Sequence, residues 1–453
     1  MTVKRDAMRT GWLVAVAILL PAIGGAQPVI QTAAGGYHSL FLKSDGSLWA
    51  MGINGYGQLG DGTFSAASRP ELIVASNVTA IAAGEYHSLF LKNDGSLWAM
   101  GANANGQLGD GTYNTANLPE LILASNVTAI AAGGYHSLFL QSDGSLWAMG
   151  RDGNGQLGDG IYRLNAPYYG TNQPEQIVAS NVTAIAAGEY HSLFLQSDGS
   201  LWAMGNNYNG QLGDGTFFDD TNQPEQIMAA SNVVAIAAGI GHSLFIESDG
   251  SLWGMGANGS GQLGDGTYNN TNLPELIMAS NVTAVAAGGY HSLFLQSDGS
   301  LWAMGQNWNG QLGDGTNGIS IQTNRPEETV ASGAVAISGG QLHSLFLKND
   351  GSLWGMGDNQ HGQLGDLYHP IVNRPEQILA AYNYLSSQWL SGVMQLSFVG
   401  VAGANYALDR AFNLSPADWV PQSTNAADAI GVLMFTNAPA VDTNNFWRIR
   451  SVP

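Results

Sequence analysis

Short apolar runs separated by polar turn residues recur along most of the chain. In one unit the runs Val78–Ala82, His87–Lys92 and Leu97–Gly101 are each five or six residues long, the length of strands rather than helices. Asn93-Asp94-Gly95-Ser96 separates the second run from the third. Asp-Gly accepts the positive φ of a tight hairpin turn, so these two runs are predicted to pair antiparallel. A fourth strand is predicted over 120–124, after Pro119. Four short antiparallel strands make one blade of a propeller.

The unit occurs seven times. His-Ser-Leu-Phe begins at His38, His87, His136, His191, His242, His291 and His343. Seven residues after each His comes Asp-Gly-Ser-Leu-Trp, and twelve residues after its Asp comes Gly-Gln-Leu-Gly. A Pro-Glu pair closes each unit, from Pro70-Glu71 to Pro375-Glu376. The His-to-His period of 49 to 55 residues matches one propeller blade. The fold class expected is all-β: a seven-bladed β-propeller over 28–380, with a small C-terminal β-rich module over 382–453. The repeats are expected at 28–76, 77–125, 126–180, 181–231, 232–280, 281–332 and 333–380.

Variation between repeats is confined. From the last Gly of Gly-Gln-Leu-Gly to the Pro of Pro-Glu the distances are 10, 10, 16, 11, 10, 13 and 10. This connection, between strands three and four, lies on the same blade end as the loop between strands one and two. The Asp-Gly-Ser turns lie at the other end. One face of the ring is therefore expected to be uniform and the other diversified. Aromatic residues vary in the same place. Tyr56, Tyr208, Trp308 and His361 stand where other repeats have small or polar residues, and Phe64, Tyr113, Tyr162, Phe217 and Tyr268 follow the Gly-Asp-Gly turn. Glu85 and Glu189 replace Gly ahead of the His. These ten residues, His361 apart, are the candidate binding surface, since loops carry function on a rigid scaffold.

The pattern G-x-H-S, D-G-S-L-W, G-x-N-x-x-G-Q-L-G, P resembles the repeats of the regulator of chromosome condensation family. The resemblance covers about residues 28 to 380 and points to secreted bacterial propellers of this type. It implies a binding propeller: the family includes a secreted bacterial member that inhibits β-lactamases through its loop-bearing face. Its namesake's activity, guanine nucleotide exchange on a small GTPase, is the alternative it implies.

Composition narrows the choice. The chain has 453 residues and 45% are hydrophobic, enough for a packed body. It has no Cys, so disulfides, thiolate nucleophiles and Cys-bound metals are excluded. Lys4, Arg5 and Arg9 precede an apolar run from Trp12 to Leu20, broken by Pro21 and followed by Gly24-Gly25-Ala26. This reads as a secretory signal over 1–26, cleaved before Gln27. No other stretch is long and apolar enough to span a membrane, so no membrane insertion is expected after cleavage. Formal net charge is −20, and removing the three basic residues with Asp6 leaves about −22. Such a surface repels phosphate backbones, so no nucleic acid partner is expected.

Candidate chemistry is sparse. One His per blade would sit on a ring too wide to meet one metal ion, so the His residues read as cross-blade hydrogen-bonding groups. The Asp of Gly-Asp-Gly lacks the alternating oxygen ligands of a calcium loop. Asp219-Asp220 is the one acidic pair in a variable loop, a weak candidate for a cation contact. Asn-Val-Thr at Asn77, Asn126, Asn181 and Asn281 fits the glycosylation pattern but enters strand one of its repeat. No catalytic constellation, cofactor or metal is expected. The reading is a secreted or envelope-located binding scaffold for an extracellular protein or glycan. Nucleotide exchange and an enzyme acting on extracellular glycans are the alternatives.

Overall fold

The computed structural model describes residues 27–163, 169–319, 321–366 and 369–379 in full, and the backbone of six strands between 384 and 452. The expected signal over 1–26 lies outside the described residues. Residues 28–382 form one compact unit, and the strands from 384 onward belong to another.

The first unit holds seven four-stranded antiparallel sheets, each with its strands in chain order. In the second sheet they are Val78–Ala83, His87–Lys92, Leu97–Gly101 and Ala116–Leu123. The fourth strand starts four residues ahead of the predicted one and takes in Pro119. It can do so because it is the outer edge strand, where a missing N–H breaks no ladder, and a register shift opposite Ala99–Gly101 accommodates it.

The blades stack face to face, which explains why strand two is buried throughout. Alternate residues point to opposite faces of a sheet. Phe90 packs with Leu40, Leu42 and Leu48 of blade one, while Leu89 and Leu91 pack with Phe139 and Met149 of blade three. The core is thus a set of seams between blades. The seven strand-three Trp residues, from Trp49 to Trp354, are half-buried and pack against these seams: Trp49 stacks on Phe41 with ring planes 7° apart, and its indole N–H donates to Ser47 Oγ at 2.9 Å.

Strand one of each blade is the innermost, and the strand one of blade one, Val29–Ala34, packs beside that of blade seven, Ala334–Gly339. No strand is exchanged to close the ring. Val29 N donates to Gly351 O of blade seven as Val78 N donates to Gly46 O of blade one, so closure repeats the ordinary junction. Asn77, Asn126, Asn181 and Asn281 each adopt φ near 70° just before strand one. Asn tolerates that left-handed conformation, which accounts for the Asn-Val-Thr pattern without sugar.

The second unit contains two three-stranded antiparallel sheets. One joins Tyr384–Leu390, Val393–Val399 and Val432–Asn437, and the other joins Val420–Ala426, Asn405–Ala411 and Phe446–Val452. Four of these strands take in apolar runs of the sequence, over 394–399, 406–408, 432–435 and 446–449. Tyr384–Leu390 and Val420–Ala426, where Ser, Gln and Thr interrupt the run, do not.

Candidate binding face

A collar closes the ring at the end that carries the loops. At six of the seven junctions the glycine after strand one, such as Gly35, Gly84, Gly133 and Gly188, offers its carbonyl to the preceding blade. Gly36 N donates to Gly84 O at 3.1 Å, Glu85 N to Gly133 O at 3.3 Å, Gly134 N to Gly188 O at 3.0 Å and Glu189 N to Gly239 O at 3.2 Å. Gln341 N completes the circuit on Gly35 O at 3.2 Å. Inside the collar is a funnel of about 110 Å³, lined by alanines at the strand ends and by the collar glycines. Glu85, Glu189, Ile240 and Gln341 are its larger side chains.

Those side chains lie over small neighbours. A Cβ on Gly36 would fall 3.0 Å from Glu85 Cγ, and one on Gly134 would fall 2.7 Å from Glu189 Cγ. Gly at blades one and three therefore makes the room that Glu at blades two and four occupies. The phenols of Tyr86 and Tyr135 flank the Glu85 carboxylate, and Tyr190 flanks that of Glu189. Burial leaves both carboxyls above their ordinary range, and the Tyr phenols that donate to them offset only part of that rise. The neighbouring phenols respond in kind: Tyr190 is pushed up to about 12, by burial first and Glu189 next.

An arc of aromatic rings surrounds this sector. Tyr56 packs on Tyr86 at 5.1 Å, and Tyr135 stacks on Tyr190 at 5.6 Å. Arg151, at the end of strand three in blade three, lies 5.2 Å from the Tyr190 ring and 5.8 Å from those of Tyr135 and Tyr169. The collar tyrosines belong to the repeat itself, so a search for differences between repeats passes over them. The signal for Arg151 is present, since the corresponding residues are Ile53, Ala102, Asn206, Ala257, Gln306 and Asp358.

The sequence-derived candidates divide into groups. Tyr208 is 61% exposed and Trp308 42% exposed, and Tyr208 meets Phe218 edge-on at 4.6 Å. Tyr56 and His361 sit one position later in the same turn and lean on the next blade, His361 against Tyr37 at 5.7 Å. Phe64, Phe217 and Tyr268 are exposed. Tyr113 and Tyr162 span blade junctions, donating to Gly170 O at 3.2 Å and Asp220 O at 2.6 Å. Glu85 and Glu189 belong to the funnel. Asp220 is not a free acid for a cation: its carboxylate accepts from Asn154 Nδ2, Asn206 Nδ2 and the Asn207 backbone N–H.

The longest loop, in blade three, is anchored by charge. In blade one Asn54 Oδ1 accepts from Leu59 N at 3.0 Å while its Nδ2 donates to Asp61 Oδ1 at 2.9 Å. Blade three has Asp152 at that place, which keeps the bond from Leu157 N but lacks the amide donor that Asn54 turns toward its aspartate. Arg163 fills the gap, donating to Asp152 Oδ2 at 2.6 Å, to Asp159 and to Glu175 Oε2 at 2.9 Å.

A seven-bladed ring with one uniform and one diversified face defines the class as a repeat propeller. The chain belongs to the RCC1-like domain family: the model of that domain matches residues 13–317, and models of the regulator of chromosome condensation (RCC1) repeat match 298–347 and 334–363. Among curated proteins it is 30% identical over 224 residues to the human probable E3 ubiquitin-protein ligase HERC6, covering 48% of this chain and 17% of that protein. It is also 30% identical over 189 residues to the Arabidopsis thaliana ultraviolet-B receptor UVR8, covering 41% and 43%. The matched span is less than half the length of either. Two solved structures share the fold. Human WBSCR16 has a TM-score of 0.66 at 23% identity, over 75% of this chain and 95% of that one. Saccharomyces cerevisiae Prp20p, described with its binding properties to Gsp1p and histones, has 0.65 at 22%, over 75% and 87%.

Proposed function

We propose that this chain is a non-enzymatic binding propeller, exported by its first 26 residues, that docks an extracellular protein on its loop face. One observation carries this reading. The face that holds the length variation also holds the exposed Tyr208, Phe64, Phe217, Tyr268 and Trp308, while the Asp-Gly-Ser turns opposite are uniform. The loops are rich in Tyr, Asn, Gly and Ser, the composition of antibody paratopes, where Tyr supplies rigid contact area and the small polar residues adaptable hydrogen bonds. The acidic surface favours a basic partner. Likeness to Prp20p adds a precedent for protein binding on this fold.

The experiment is recovery of protein ligands on the mature chain from residue 27, followed by hydrogen exchange of the complex. Protection is expected in the connections around Tyr208, Phe217 and Trp308. Protection confined to the Asp-Gly-Ser turns would overturn the assignment of the face, and recovery of glycans alone would overturn the choice of a protein. A mature chain that retains Met1 would overturn the export reading.

A further inference from the structure

We propose that the central funnel receives a lysine or arginine side chain of the docked protein, with Glu85 and Glu189 as its counter-charges. This rests on the reading of the loop face as a protein-docking surface, and it names what the centre of that surface recognises.

Four observations carry it. First, the funnel opens on the docking face, and its volume of about 110 Å³ suits one side chain and not a folded segment. Second, two acceptors on rim residues are left unsatisfied by the chain. Glu85 Oε2 and Gln341 Oε1 are sealed from solvent without a hydrogen-bond partner. Buried polar atoms are rarely left so, and an ammonium or guanidinium donor is the group that satisfies a carboxylate and an amide oxygen together. Third, neither glutamate is held in an ion pair, although Arg151 acts on Glu189 from a distance. Among the described residues the ion pairs involve Arg163 and His369, and neither Glu85 nor Glu189 takes part. Arg151 is the nearby cation, and its guanidinium is spread over the faces of Tyr135, Tyr169 and Tyr190. Fourth, the two glutamates come from blades two and four and feel each other's charge. A cation between them relieves that repulsion. Tyr86, Tyr135 and Tyr190 border the same sector, and aromatic faces attract cations as well.

Glu85 and Glu189 lie against the bare backbone of Gly36 and Gly134, where a Cβ would crowd them. The rim is therefore preorganised rather than a mobile acidic fringe, and preorganisation reduces the ordering cost of binding. The funnel is not built for a metal ion. The rim acceptors stand on blades two, four and seven, and they are not among the described groups of His, Asp and Glu drawn close enough to share one.

The test titrates Nα-acetyl-lysine methylamide, the arginine analogue and the uncharged norleucine analogue into the mature chain, read by calorimetry. Saturable binding is expected for the two cations and none for norleucine. Glu85→Gln with Glu189→Gln should weaken the lysine probe at least tenfold and leave the melting temperature within two degrees or so, since Gln keeps the shape and the carbonyl. Equal binding of norleucine, or unchanged lysine binding in the double Gln variant, overturns the proposal. Tyr208→Ala with Trp308→Ala separates it from the docking reading. If that variant loses the protein partner while the lysine probe never binds the native chain, the funnel proposal falls and the docking face stands. If it keeps full partner affinity while the probe binds, the funnel is a site for free organic cations and the partner assignment falls.

Discussion

His38 Nε2 lies 2.9 Å from Ser88 Oγ of the next blade, and both atoms are buried. Ser88 Oγ lies 2.7 Å from the backbone carbonyl of Gln58, which can only accept. The single serine proton is therefore given to Gln58 O, so His38 must donate from Nε2 and its Nδ1 carries the lone pair. The relay recurs at every junction and closes the ring through His343 and Ser39 at 3.0 Å. All seven Nδ1 atoms are buried without a partner, which agrees with the neutral tautomer because a buried N–H there would be left without an acceptor. The seven His residues are the hinge pins of the propeller, and their Nε2 atoms are committed to serine.

Removing one pin leaves two buried groups unmade. Ser137→Ala strips the acceptor from His87 and the donor from Gln107 O. A loss of about 2–3 kcal/mol is expected, larger than a typical hydrogen bond because both partners stay buried. Urea denaturation of the variant measures it, and a change under 0.5 kcal/mol would show that the relay is not stabilising.

The same imidazoles make the ring acid-sensitive. Burial lowers His38, His136, His191, His291 and His343 to about 3 and His87 and His242 to about 4, against 6.5 for the free side chain. Between these values the unfolded chain binds protons that the folded chain refuses, so stability is full above about pH 7 and falls as pH drops through 6.5. The loss levels off only below the folded values. At pH 5 each imidazole costs roughly 2 kcal/mol. The urea midpoint should fall steeply between pH 7 and pH 5; an unchanged midpoint would mean that the rings are protonated in the fold.

The Arg163 clamp can be tested by repair. Arg163→Ala leaves Asp152 buried opposite Asp159 without the cation that holds them together, and about 3 kcal/mol is expected to be lost. Adding Asp152→Asn supplies the Nδ2 donor that Asn54 and Asn103 use in their blades. The double variant should regain more than half of the loss. Additive effects in a thermodynamic cycle would contradict the account.

The collar glycines differ in kind from the loop glycines. A Cβ on Gly188 would strike the His191 ring and come 2.6 Å from Gly239 O, whereas one on Gly55 meets nothing within 4 Å. Gly188→Ala should lower the melting temperature by several degrees and Gly55→Ala should leave it nearly unchanged. Differential scanning calorimetry of the pair decides whether the collar is closely packed.

The repeats made the blades legible, because His-Ser-Leu-Phe and Asp-Gly-Ser-Leu-Trp fix strands two and three and the turn between them. The start of strand four was not legible, since Pro119 reads as a boundary until the strand is known to be an edge. Exposure of Tyr208 and Trp308 follows from their place in a variable turn. The funnel does not follow from any one repeat. It arises from closure, which brings Glu85, Glu189 and Gln341 together from blades two, four and seven, and Arg163 reads as an ordinary loop charge until Asp152 is seen beside it.

Docking on the loop face is tested most directly by the double variant Tyr208→Ala with Trp308→Ala, measured for partner affinity and melting together. Exposed aromatics at an interface centre contribute about 2 kcal/mol or more each. The account predicts affinity reduced at least tenfold with melting little changed, since Tyr208 is mostly in solvent and Trp308 is exposed over two-fifths of its surface. Unaltered affinity, with melting lowered as truncated packing residues would lower it, would contradict the assignment of this face.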